Sequence, residues 1–138
     1  MARNESIPLF DHGDTLTVTA TQAMAGKRFA AVPASGDARD AGAFGAGRIR
    51  AAYPAAGGGR VIGVTCYDVA ADAGVTIHHA TTIVAPVTAG AAITAGQLVT
   101  SDDEGRAVPH TGTGVVLGIA LDSVASGADV FVDRTIRG

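Results

Sequence analysis

Strict alternation of polar and apolar residues marks the clearest element of the chain. In Thr15-Leu16-Thr17-Val18-Thr19-Ala20-Thr21, four threonines face one way and Leu16, Val18 and Ala20 the other. That period of two is the pattern of a half-buried strand. Further runs rich in β-branched residues cover 28–32, 61–66, 75–79, 82–87, 97–100, 115–121 and 129–136. Gly, Pro and Asp clusters punctuate them: Pro33 with Ser35-Gly36-Asp37, Gly57-Gly58-Gly59, Asp102-Asp103-Glu104-Gly105 and Ser126-Gly127. Turn signals spaced about ten residues apart predict an all-β chain, folded as a single small β-barrel or β-sandwich domain. The alanine-rich stretches 22–26 and 68–73 predict one helical turn each, and neither is long enough for a main helix.

An internal relation runs through the second half of the pattern. A shift of 55 residues without gaps lays Val61-Ile62-Gly63-Val64 on Val116-Leu117-Gly118-Ile119. The same shift puts Val69-Ala70 on Val124-Ala125, Ala73 on Ala128, Val75 on Val130 and Ile77 on Val132. Each copy reads as an apolar strand, a short Ala-rich excursion carrying Asp68 or Asp122, and a second strand. Gly63 and Gly118 fall mid-strand, where glycine marks a bulge, a bend or a close backbone approach. These features predict a duplicated β-loop-β unit with pseudo-twofold symmetry; the alternative is chance similarity in a Val/Ala/Gly-rich chain. Two segments stand outside the regularity. Residues 1–14 form an extended N-terminal arm to a β-rich domain over 15–138, and 35–59 is a long Gly/Ala-rich loop. Phe44, Ile49 and Tyr53 are its possible anchors. The loop reads either as a flexible surface insertion or as an inter-subunit contact.

Composition narrows the class. The chain has 138 residues and a mass of 13.6 kDa, one domain's worth. Hydrophobic residues reach 47%, yet aromatics are 4%, Trp is absent and 19 residues are Gly. Small side chains bury little area each, so thin packing within a subunit and help from oligomerisation are expected. A net charge of −3 with 17% charged residues argues against a nucleic-acid binder and against a disordered chain. No apolar run approaches the ~18 residues of a membrane span. The opening Met-Ala-Arg-Asn-Glu-Ser lacks the apolar core of a secretory signal. A lone cysteine, Cys66, excludes an intramolecular disulfide and fits folding in a reducing cytosol.

The chain offers little chemistry. His78 and His79 are neighbours in a predicted strand, so their side chains point to opposite faces and do not easily share a metal. His12 and His110 lie in turn-like sequence far apart, and zinc wants clustered Cys/His ligands. Cys66 follows Ile62 and Val64 on one strand face and reads as a small core thiol rather than an activated thiolate. No Gly-x-Ser-x-Gly elbow is present, and Gly45-Ala46-Gly47 and Gly57-Gly58-Gly59 lack the Gly-Lys-Ser/Thr that grips phosphate. Asp102, Asp103 and Glu104 before Gly105 mark a hairpin tip, with a weak calcium site as the alternative. No enzyme, cofactor or metal is expected.

From Val61 onward the chain resembles a phage family. The stretches that carry the likeness are Val61-Ile62-Gly63-Val64 with Asp68-Val69-Ala70-Ala71, and Ile83-Val84-Ala85-Pro86-Val87-Thr88-Ala89-Gly90. They continue through Ala92-Ile93-Thr94-Ala95-Gly96-Gln97-Leu98-Val99, Asp103-Glu104-Gly105-Arg106-Ala107-Val108 and Gly118-Ile119-Ala120-Leu121. This order is similar to that of the capsid decoration (cement) proteins of tailed bacteriophages. The opening Ile7-Pro8-Leu9-Phe10 and the run ending Gly26-Lys27-Arg28-Phe29 resemble those from phages of actinobacteria. The resemblance implies a structural virion protein, made in the host bacterial cytoplasm and bound to the capsid exterior. It further implies a homotrimer at threefold or quasi-threefold positions, with the major capsid protein as partner and no nucleic acid or membrane. The alternative is a β-clip or biotinyl-like binding module of another phage component, in the tail or a head fibre. A biotinyl-like carrier needs a modifiable lysine on a hairpin, and Lys27, the only lysine, has no Met-Lys pair.

Within the arm, Arg3, Ile7, Leu9 and Phe10 are the candidate capsid-binding residues. Pro8 holds Ile7 extended and cannot donate to a sheet ladder, which suits an arm that lies along a surface. The alternative is that Leu9 and Phe10 cover the open end of their own domain.

Overall fold

The computed structural model describes residue 5 and residues 15–33, 49–79 and 84–134. Among these, the regular elements are all strands: β1 Thr15–Ala20, β2 Phe29–Ala31, β3 Arg50–Ala51, β4 Val61–Thr65, β5 Gly74–His78, β6 Val84–Thr88, β7 Leu98–Ser101, β8 Ala107–Pro109, β9 Gly118–Ala120 and β10 Asp129–Asp133. They build two five-stranded sheets, β2-β4-β5-β1-β3 and β6-β10-β9-β7-β8. Each sheet draws its strands from one half of the chain. Isolated bridges, Ala31 with Ala52 and Ala89 with Ala107, draw the edges of each sheet together. Each sheet therefore curls without closing into a continuous ladder, and the whole is a sandwich-like pair of sheets rather than a barrel.

The alternation of β1 holds at its start and fails at its end, where Thr19 on the polar side is buried at 3%. Val18 and Ala20 are fully buried with Val75 and Ile77 of β5, Met24, Ala30 and Ala51, while Thr15 and Thr17 are exposed. Two short strands, β3 of two residues and β8 of three, are held by pairing with β1 and β7. The 22–26 and 68–73 stretches make bends and turns, not helical turns. The Met24–Val69 bridge takes up their backbone groups and leaves no ladder for a helix. Of the arm, only Glu5 is among the described residues. Of the segment 35–59, the described residues 49–59 contribute β3 and place Tyr53 with its hydroxyl 2.7 Å from the Ala25 N–H.

The duplication is more complete than the 55-residue shift suggests. Phe29 faces Val64 and Leu98 faces Ile119; Val18 faces Val75 and Val87 faces Val130; Val64 faces His78 and Ile119 faces Asp133. The isolated bridge Met24–Val69 repeats as Ile93–Val124. Thus β4 and β5 map onto β9 and β10 at 55 residues, but β1 and β2 map onto β6 and β7 at 69. For β3 the offset is 56, Ala51 falling on Ala107, because the chain between β2 and β3 is 13 residues longer than its counterpart.

Gly63 and Gly118 are equivalent in this register, and a Cβ at either would press on the carbonyl of the facing strand, His78 or Asp133. Both carbonyls are backbone, so neither can swing aside. Gly63→Ala and Gly118→Ala should each cost about 1–3 kcal/mol of stability by urea denaturation. Gly59→Ala, with open space around it, should stay within about 0.5 kcal/mol of the parent.

Candidate functional site

The residues able to do chemistry are turned to separate structural partners. Cys66, just past β4, is half-buried rather than in the core, with Sγ 3.5 Å from His78 Nε2. His79 sends Nδ1 to the Ile62 carbonyl at 3.0 Å, and His110 sends Nε2 to the Gly114 carbonyl at 3.1 Å. His12 lies outside the described residues. Among the described residues no group of three or more His, Cys, Asp or Glu could hold a metal ion, and no helix is long and apolar enough to cross a membrane.

At the β7–β8 turn the carboxylates serve the turn itself. Asp102 Oδ1 accepts the N–H groups of Glu104 and Arg106, each at 2.9 Å, and Oδ2 accepts Arg106 Nε at 2.8 Å. Arg106 also reaches Glu104 at 2.8 Å. The hydrogen bond to Asp102 raises the Arg106 pKa above the usual arginine value. Desolvation opposes the rise, and the charges of Asp102, Glu104 and Asp103 add to it.

That turn is also where the two halves lock. The Phe29 N–H donates to the Gly105 carbonyl at 2.7 Å, and Arg28 Nη1 donates to the Glu104 carbonyl at 3.0 Å. Gly105 has φ +73°, and a Cβ there would meet the Phe29 carbonyl at 2.6 Å, so only glycine brings the turn this close. Nearby, the Thr88 N–H donates to the Lys27 carbonyl and the Gly57 N–H to the Ser101 carbonyl, both at 2.9 Å. Lys27 Nζ pairs with Asp129 at 2.7 Å, and Arg134 Nη1 donates to the carbonyls of His78 and His79. Between these bonds, Phe29 and Val64 leave their own sheet's core and join Val87, Val99, Leu117, Val130 and Val132.

Four large apolar side chains stand exposed among the described residues: Ile49 at 37%, Leu98 at 38%, Val115 at 46% and Leu121 at 46%. Leu98 is the cross-strand partner of Ile119, and Leu121, two residues past Ile119, shares its face; the Leu121 N–H donates to Phe131. Ile119 and Phe131 on that face are half-buried. These side chains form an open apolar surface on the outer side of the second sheet. Reading the sequence alone misses it. The available signal is the 69-residue offset that sets Leu98 on buried Phe29, hidden because the two offsets differ. The arm residues Arg3, Ile7, Leu9 and Phe10 lie outside the described residues.

Comparison with known proteins gives a consistent result. A family model described as phage cement protein matches residues 10–136. Among curated proteins there is no match. Among solved structures, the chain is similar in fold to the N base of the head fibre gp8.5 of bacteriophage phi29. The TM-score is 0.66 at 22% identity, over 88% of this chain and 92% of that one.

With Cys66 half-buried and its Sγ beside His78, Cys66→Ser should change stability by about 1 kcal/mol or less. Metal analysis of the purified protein should find no stoichiometric zinc. Tight zinc that disappears in Cys66→Ser or His78→Ala would contradict this.

Proposed function

This chain belongs to the phage cement protein family, and we propose that it binds the outer surface of the assembled phage head, where it bridges and stabilises neighbouring major capsid subunits as a homotrimer. The match of the family model along residues 10–136 is the observation that carries this reading. The rest of the chain is in keeping with it. Membership of a family of phage cement proteins supports a structural rather than an enzymatic role. A net charge of −3 suits the outside of a shell better than its DNA-filled interior.

Cementing is a problem of multivalency. A trimer that touches several capsid subunits makes each later contact intramolecular, so modest contacts sum to firm attachment. The N-terminal arm is the proposed anchor, with Arg3, Ile7, Leu9 and Phe10 laid along the capsid surface. A second reading, favoured by the likeness to a head-fibre base, is that the chain seats a projecting fibre on the head. The two differ in a measurable way: cement raises the resistance of heads to heat and shear, whereas a fibre base need not.

Purified protein mixed with expanded heads that lack it should co-sediment with them at a fixed ratio, and light scattering of the free protein at micromolar concentration should give about three times 13.6 kDa. Removing residues 1–9 should leave the free protein folded and still three chains per particle, and abolish co-sedimentation. Unchanged binding by the truncated chain would show that the arm is not the anchor. Failure of the full chain to bind heads would overturn the cement reading.

A further inference from the structure

One buried contact inside the chain has both of its sides repeated, exposed, elsewhere on the same chain. Phe29 and Val64 are cross-strand partners on the outer face of the first sheet. They are fully buried because the second half covers them, with the Gly105 carbonyl capping the Phe29 N–H. The duplication carries Phe29 onto Leu98, Val64 onto Ile119 and, on the covering side, Gly105 onto Ile49. Leu98 and Ile119 are again cross-strand partners, yet Leu98 is 38% exposed and Ile49 is 37% exposed. Both remain open in the single chain, so they do not cover each other.

We propose that the outer face of the second sheet, carrying Leu98, Ile119 and Leu121, docks on the Ile49 edge of a second copy of this chain, repeating between chains the packing that joins the halves within one. This deepens the self-association in the proposed function by naming its surfaces. The contact differs from its internal counterpart in one respect. The Ile49 carbonyl already accepts the Thr19 N–H at 2.9 Å, so it is not available to cap Leu98 as Gly105 caps Phe29. The interface is instead made by side chains, and Ile49 supplies the apolar group that Gly105 lacks. Because the two surfaces differ, the contact is head-to-tail, which gives a ring where the rotation between copies closes and an open filament where it does not. A single self-complementary patch would give a twofold dimer instead.

The test is sedimentation velocity over a concentration series on the full-length chain, on Leu98→Asp, on Ile49→Arg and on the double variant. Leu98 and Ile49 are only partly exposed, so circular dichroism and urea midpoints are measured alongside to show that each variant is folded; Leu98→Ser repeats the test should the charged variant unfold. Each single variant should need about tenfold or more protein to assemble than the parent. The double variant should regain much of the loss, since the new Asp on one copy meets the new Arg on the next. Single variants that assemble like the parent would overturn the proposal, and loss in both singles without recovery in the double would overturn the pairing of these two surfaces. A parent that stays monomeric throughout would overturn self-association itself. Co-sedimentation with heads, measured on the same samples, reports capsid binding separately.

Discussion

Phe29 and Val64 stand on the outer face of a sheet whose inner face is already filled, and burying them takes the second half of the chain. Much of the architecture is arranged around that contact. The β7–β8 turn is held by Asp102 so that the Gly105 carbonyl can cap the Phe29 N–H. Lys27 supplies a carbonyl to Thr88 and an ammonium to Asp129. The polar bonds orient the seam, and the apolar side chains supply its driving force. A buried phenylalanine contributes about 1.5–3 kcal/mol, whereas an ion pair as exposed as Lys27–Asp129 contributes about 0–1 kcal/mol.

The need for that seam follows from composition. Each half fills its interior with Val, Ala, Ile and Met at equivalent positions: Val18 and Val87, Ala20 and Ala89, Met24 and Ile93, Val75 and Val130. Interiors of such small side chains bury little area per residue, and a curled sheet of about 50–60 residues is marginal on its own. Joining two halves through a shared apolar face adds burial that neither holds alone. It also leaves the second half with the same kind of face uncovered, where Leu98 and Leu121 now stand. A subunit built this way keeps an open apolar surface.

Much of the fold was legible in the sequence because the strands advertise themselves by alternation. The period of two in 15–21 and the β-branched runs from 61 onward locate most strands to within a residue or two. The weaker elements were not legible for a physical reason. Arg50–Ala51 becomes a strand because β1 offers it hydrogen bonds, and no local pattern records that, whereas Ala107–Pro109 is announced only by the hairpin tip at 102–105 that turns the chain back onto β7. Half of the duplication was visible at one offset, and the rest was concealed by 13 extra residues between β2 and β3. The open apolar face was concealed with it, since Leu98 gains meaning only once it is set on Phe29. Strand parity predicts a core thiol at Cys66, but the strand ends at Thr65 and the side chain rests beside His78, half-buried.

The central claim is that the two halves form one cooperative unit because the seam at Phe29 cannot open on its own. Hydrogen exchange of the Phe29 and Thr88 amides tests this most directly, since each donates to a carbonyl of the other half. Their exchange should require global unfolding, with the same opening free energy and denaturant dependence as the amides of Val18 and Val130 within the two cores. Exchange at Phe29 and Thr88 through a lower-energy opening, while the cores stay protected, would show the halves parting as separate units and would contradict the account.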